Sequence, residues 1–181
     1  MAGKRMLNVD ERVKNSRSKT VAQNDTRTMV DAHLYLREHS IRQSFEGFLS
    51  LWRSLSVACE SGLDAHGLGP AHHRIMFLLG SHEGLLPSEL CRRLGITKQS
   101  LGRALGELKG KRLVEQRQDG ADRRKRPVFL TNEGRRLEAE LFMAIRTVLT
   151  LAYRQVDGNA VDGFRRVLRA AEQVSQLPDG L

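Results

Sequence analysis

At 181 residues, 40% of them hydrophobic, the chain is long enough for one packed domain with extensions and too apolar for wholesale disorder. Aromatic residues make up only 5%, and Leu, Val and Ala dominate, a composition that leans towards helix. The net charge of +9 is focused: residues 1–30 carry seven cations against three anions and residues 70–134 thirteen against seven, while the rest is near balance. Such focusing favours a polyanionic partner over charge spread for solubility. Cys59 and Cys91 stand far apart without a CxxC or CxxH companion, which argues against a disulfide framework and a structural zinc site. No apolar run approaches the roughly 18 residues of a membrane span, and the N-terminus lacks the apolar core of a signal peptide. The expected setting is a reducing cytoplasm, with no membrane partner.

Residues 1–30 are polar, basic and aperiodic and read as a mobile tail. Ile41, Phe45, Phe48, Trp52, Leu55 and Cys59 then recur in steps of four and three, one apolar face of a long helix. Glycines in "SGLDAHGLGP" stop it, and Pro70 suits the first turn of the next helix, which buries Ile75, Leu78 and Leu79. Pro87 opens a short helix with Leu90, Cys91 and Leu94 inward, closed by Gly95. Thr97 is a natural N-cap for a second helix burying Leu101, Ala104, Leu105 and Leu108. Two short helices joined by a "GIT" turn read as helix-turn-helix. "LVEQR" and "RPVFL" follow as short strands around a loop of about seven residues, the hairpin that turns this motif into a winged helix.

A long helix capped by Thr131 carries the stripe Leu137, Leu141, Ile145, Val148 and Leu151 or Ala152. A last helix has Val161, Phe164, Leu168, Ala171 and Val174 inward. The helices at the two ends present more apolar face than a small winged-helix core can cover, and a twofold homodimer would cover the surplus. The expected fold is mostly α with a small β-hairpin wing: dimerisation helices at 31–62 and 131–177, and a winged helix-turn-helix at 70–130.

"PSELCRRLGITKQSLGRALGELKGKRLVEQRQDGADRRKRPVFLTNEG" resembles the MarR family of bacterial winged-helix regulators. The specific part is Asp119, then Asp122-Arg123-Arg124, Leu130-Thr131 and Gly134, and the resemblance extends over about residues 31–177. It implies an obligate dimer on a pseudo-palindromic duplex operator, a repressor often released by a small molecule. Two departures stand out. Arg112 holds the place of a glycine usual after the recognition helix. A left-handed cap without glycine costs on the order of 1 kcal/mol, so that helix is expected to end earlier or differently. Pro127 sits inside the second wing strand, where it should face away from the partner strand or mark a bulge.

Opposite the apolar stripe of the second short helix lie Gln99, Gly102, Arg103 and Gly106, with Lys98 at its N-terminal end. Gln can pair with adenine and Arg with guanine by two hydrogen bonds. Thr97, Lys98 and Ser100 lie where a helix N-terminus meets phosphate. The glycines would allow close approach to a groove; the plainer alternative is tolerated drift on a polar face. In the wing, Asp122 would brace Arg123 or Arg124, the other arginine reaching a minor groove and Lys125 a phosphate.

The resemblance also implies an effector crevice near Trp52, Leu55, His72, His73 and Met76, suited to an aromatic carboxylate or phenol. The alternative is that Trp52 is core and one of the paired histidines faces solvent. Redox sensing would favour Cys59 over Cys91. His66, His72, His73 and His82, with Cys59 or Glu60, match no zinc spacing. No nucleophile–base pair, paired carboxylates or phosphate loop stands out, so neither an enzyme nor a cofactor is expected. A winged helix used as a protein-interaction module is the rival reading, against which the charges of Lys98, Arg103 and the wing speak.

Overall fold

The computed structural model describes residues 35–118 and 125–174. The basic tail and the wing residues Asp122, Arg123 and Arg124 lie outside the described residues. The chain forms two compact units, Met1–Leu51 and Trp52–Leu181. Of the first, the described residues supply the N-terminal half of α1 (Glu38–Asp64). There Ile41, Phe45 and Phe48 of the expected stripe are all about half exposed.

The second unit takes up α1 at Trp52 and continues with α2 (Pro70–Ser81), α3 (Pro87–Leu94), α4 (Lys98–Gly110), β1 (Val114–Gln116), β2 (Val128–Leu130), α5 (Asn132–Tyr153) and α6 (Gly158–Val174). Its core gathers inner-face positions that the periodicity predicts, Cys59 of α1, Ile75 and Leu79 of α2, Leu90 of α3, the four apolar positions of α4, and Leu137 and Leu141 of α5, and adds Leu63 of α1, one turn beyond the expected stripe. Leu78, Cys91, Leu94 and Ile145 are only partly buried against it. α6 buries no residue; Val161 and Phe164 are half-buried and Leu168 and Val174 exposed, so the inward face expected there is not covered by the described residues. No helix among the described residues is long and apolar enough to cross a membrane.

Helix ends follow local chemistry. The Gly69 N–H donates to His72 Nδ1 (3.0 Å) at the start of α2, and the Leu86 N–H to Glu89 Oε2 (2.8 Å) at the start of α3. Each bond satisfies an amide that the helix itself leaves open. Gly95 closes α3 in the left-handed region (φ 63°), and two residues later Thr97 Oγ1 accepts the Ser100 N–H (3.2 Å) to cap α4. The hairpin pairs Val114 with Leu130, Glu115 with Phe129 and Gln116 with Val128. Leu85 adds an isolated bridge on the far side of β2, exchanging both hydrogen bonds with Val128 (3.2 and 2.8 Å). One residue of pairing carries no periodicity, and the sequence reading passes over it.

Both departures from the family pattern resolve differently from expectation. Arg112 does adopt the left-handed conformation (φ 58°), and α4 ends where a glycine cap would end it. The Leu113 N–H reaches Leu108 O (3.0 Å) and the Arg112 N–H reaches Lys109 O (2.9 Å), the paired bonds of a Schellman cap, with Leu108 and Leu113 both buried. The capping bonds and the buried leucine pair offset the cost of the wrong-handed arginine. Pro127 neither faces away nor makes a bulge. It stands just before β2, its carbonyl accepts the Arg117 N–H (3.2 Å), and lacking an N–H to return it ends the ladder.

Thr131 joins these parts. Its Oγ1 accepts the Gly134 N–H (3.0 Å) to cap α5, while the hydroxyl donates to Arg112 O (2.7 Å) and the Thr131 N–H to Leu113 O (3.1 Å). Gly134 is buried directly against this chain crossing, and a Cβ there would overlap the Leu113 carbonyl oxygen. Backbone cannot yield as a side-chain tip can. Gly134→Ala is therefore expected to lower stability by about 2–3 kcal/mol, read as a reduced denaturation midpoint, although alanine is the better helix former.

Candidate nucleic-acid interface

The surface of α4 divides as its sequence predicts. Thr97, Lys98, Gln99, Ser100, Gly102, Arg103 and Gly106 are all exposed, and Leu101, Ala104, Leu105 and Leu108 face the core. Thr97 is committed to its cap, so Lys98 and Gln99 head the positive end of the helix dipole. A Cβ added at Gly102 or Gly106 would meet nothing within 4 Å, so packing among the described residues does not demand glycine at either place. Beside them opens a cleft of about 350 Å³, lined by Cys91 and Leu101 and by the cationic side chains of Lys98 and Lys109.

Arg103 does not stand alone. Its Nε donates to Glu107 Oε1 (3.2 Å), one turn on, and the other oxygen of that carboxylate lies 2.9 Å from His72 Nε2 on α2. The first spacing was legible in the sequence; the second joins residues 35 apart in the chain and was not. Lys109 Nζ donates to Gln116 Oε1 (2.5 Å), and Gln116 Nε2 donates to Arg126 O (3.3 Å), which ties the C-terminal end of α4 to both arms of the hairpin. Lys109 and Gln116 were also missed, since no motif marks a side chain that braces a wing. Lys125 is exposed at the start of the second arm. Asp122, Arg123 and Arg124 fall in the stretch outside the described residues.

The crevice residues separate. Trp52, Leu55 and His73 line one cavity of about 100 Å³ together with Cys59, Leu63 and Ile145. His72 and Met76 do not line it. Successive helix positions diverge by about 100°, and His72, with Met76 one turn on, points away from His73. Met76 is fully buried in the core, and His72 turns towards α4. Trp52 is 51% exposed at the cavity wall, and neither histidine faces solvent.

Burial pushes the Cys59 thiol up and the His73 imidazole down from their ordinary ranges. Cys59 is 1% exposed, its thiol donating to Leu141 O at 3.6 Å and lying 4.0 Å from His73 Nε2. A buried thiol held in its protonated form is a poor nucleophile, so the ranking of Cys59 above Cys91 as a redox sensor is overturned. Among the described residues no three His, Cys, Asp or Glu side chains are placed to hold a metal ion. In the native protein, iodoacetamide is expected to modify Cys91, half-buried beside the α4 cleft, at least about tenfold faster than Cys59. Peptide mass mapping against reaction time reads the two rates, and equal rates would contradict the burial argument.

Residues 66–125 match the model of the MarR family. The HTH-type transcriptional regulator PetP of Rhodobacter capsulatus is 39% identical over 137 residues, spanning 76% of this chain and 82% of that protein. Among solved structures, a MarR transcriptional regulator from Methanosarcina mazei Go1 superposes with a TM-score of 0.61 at 20% identity, covering 74% of this chain and 96% of that one. The transcriptional repressor CouR, bound to a 23-mer DNA duplex, gives 0.60 at 19% identity, covering 77% and 94%. At such identities the two structures speak for the fold, whereas the PetP match reaches well beyond the helix-turn-helix. The chain belongs to the MarR family of winged helix-turn-helix transcriptional regulators.

Proposed function

We propose that the protein is a homodimeric repressor that binds a pseudo-palindromic duplex operator through α4 and the wing and is released by a small aromatic acid or phenol. The observation that carries the DNA-binding part is the exposed face of α4, where Lys98, Gln99 and Arg103 stand together beside two glycines that the chain's own packing does not require. Lys98 and the amides of the first turn suit phosphate, and Gln99 and Arg103 suit base edges. Lys125 would reach a flanking phosphate. Asp122, Arg123 and Arg124 enter on the sequence pattern alone, one arginine braced by the aspartate and the other aimed at the minor groove.

The dimer is supported by apolar side chains that none of the described residues covers: Phe45 and Phe48 on α1, and Leu168 and Val174 on α6. Monomers rarely leave such faces open. Effector release is supported by the Trp52–Leu55–His73 cavity, whose neutral imidazole can accept a hydrogen bond from a phenol or carboxylic acid. At about 100 Å³ it is smaller than the roughly 300–1,000 Å³ of most ligand sites, which restricts the effector to a single ring.

The test is a binding titration against the intergenic duplex beside the gene, with sedimentation run in parallel. The wild type should sediment as two chains and lose about 10³-fold or more in affinity between 50 and 200 mM salt. Arg123→Ala or Arg124→Ala should weaken binding strongly while circular dichroism stays native; unchanged affinity at physiological salt would sink the role given to the wing. Gly106→Ala should raise stability by about 0.5–1 kcal/mol and yet weaken duplex binding, since its methyl group would stand where the groove wall comes closest. A variant that is both more stable and equally tight would mean the glycine is only tolerated.

A further inference from the structure

Glu107 is the only anion on α4, and local energetics argue against it. It lies one turn from the negative end of the helix dipole. It follows Arg103 at i+4, the less favourable order for an ion pair on a helix. It also shares the exposed side of the helix with the cations proposed to meet a polyanion. As a surface pair it would contribute little to stability, because Arg103 is 86% and Glu107 44% exposed.

What distinguishes it is the anchor behind it. His72 Nδ1 already accepts the Gly69 N–H, so the neutral ring carries its proton on Nε2, the nitrogen 2.9 Å from Glu107 Oε2. The contact is close but off the line of a hydrogen bond, and Nε2 is buried with no hydrogen-bond partner among the described residues. His72 itself is 12% exposed and fixed in the first turn of α2. The carboxylate thus has one oxygen against the edge of the buried imidazole and the other on Arg103 Nε. With Nε occupied, Nη1 and Nη2 have no partner among the described residues and form a fork on a side chain that is 86% exposed.

We propose that Glu107, anchored by His72, is a positioning residue for base reading: it fixes Arg103 by its Nε edge and presents the Nη1/Nη2 fork end-on to the O6 and N7 atoms of a guanine. This rests on the proposed reading that α4 enters a major groove and that Arg103 contacts a base. An unbraced arginine beside DNA can swing to the nearest phosphate, and its many rotamers must be frozen on binding. The carboxylate counters both tendencies. It repels phosphate from the place where Arg103 is held, and it fixes the side chain before the duplex arrives. When docking expels water, the Glu107–Arg103 bond strengthens in the lower dielectric.

The probe is the duplex that the wild-type protein selects from a random-sequence pool, together with its single-base-pair variants. Arg103→Ala should abolish preference at one base pair per half-site and so identify the guanine. Glu107→Ala should lower discrimination at that same pair about tenfold, leave the other pairs as in the wild type, and tighten binding to unrelated duplex because an anion has been removed. His72→Ala should act in the same direction. His72→Gln, whose amide N–H can stand in for Nε2–H, should restore most of the discrimination, and melting curves on every variant establish that it is folded. Wild-type discrimination in folded Glu107→Ala, or an even loss across all base pairs, would overturn the positioning role while leaving Arg103 a reader. An Arg103→Ala protein with unaltered base preference would overturn the role of Arg103 and the present proposal together.

Discussion

Everything that α4 can do depends on the crossing at Leu113, where backbone leaves one helix, enters the hairpin and lies under the start of another. The Leu113 N–H closes the cap of α4 on Leu108, and its carbonyl accepts the Thr131 N–H (3.0 and 3.1 Å). Gly134 lets α5 rest on that carbonyl without a side chain between them. The orientation of α4 relative to both hairpin strands is thereby set by backbone bonds and by one missing methyl group, with the Lys109–Gln116 contact added at the surface. Arg112 is held in a left-handed conformation by hydrogen bonds on both sides of it, its N–H on Lys109 O and its carbonyl on the Thr131 hydroxyl.

That rigidity explains why the polar contacts around α4 can be sparse and still matter. Lys109–Gln116–Arg126 and His72–Glu107–Arg103 are each too exposed at their outer ends to stabilise the fold appreciably. Mounted on a fixed helix, however, they set where cations point. The first ties α4 to the base of the wing, and the second orients the one arginine at the middle of its outer face. Electrostatic attraction by itself would be served better without Glu107, so an anion kept there is better explained by discrimination than by affinity.

The sequence made the skeleton legible because the skeleton rests on periodicity and capping. The apolar stripe of α4, the Thr97 and Thr131 caps and the Gly95 turn all follow from chemistry within four or five residues. Arg112 was misjudged by a similarly local argument: a propensity of about 1 kcal/mol was set against nothing, whereas the folded chain sets it against the Leu108–Leu113 pair and three hydrogen bonds. For Pro127 the pattern predicts a strand interior where the fold has a ladder end, a matter of one residue in a boundary. The Leu85 bridge and the His72–Glu107 contact were out of reach for a different reason. Both are long-range pairings of single residues, and such pairings leave no pattern in the chain.

The same limit applies to the paired histidines, and resolving it changes what α2 does. Read together they looked like two walls of one crevice. In the fold the roughly 100° between neighbours sends them apart, His73 to the Trp52 cavity and His72 to Glu107. Pro70, at the start of the same turn, also lines the cavity. The first turn of α2 is therefore a wall shared by the cavity and by the brace on Arg103, with no flexible segment between them. An occupant larger than this space of about 100 Å³ would have to displace a wall to fit. If the wall that yields is this turn, His72 moves with it, and the Glu107 carboxylate loses its inner anchor before any larger rearrangement of the helices is needed.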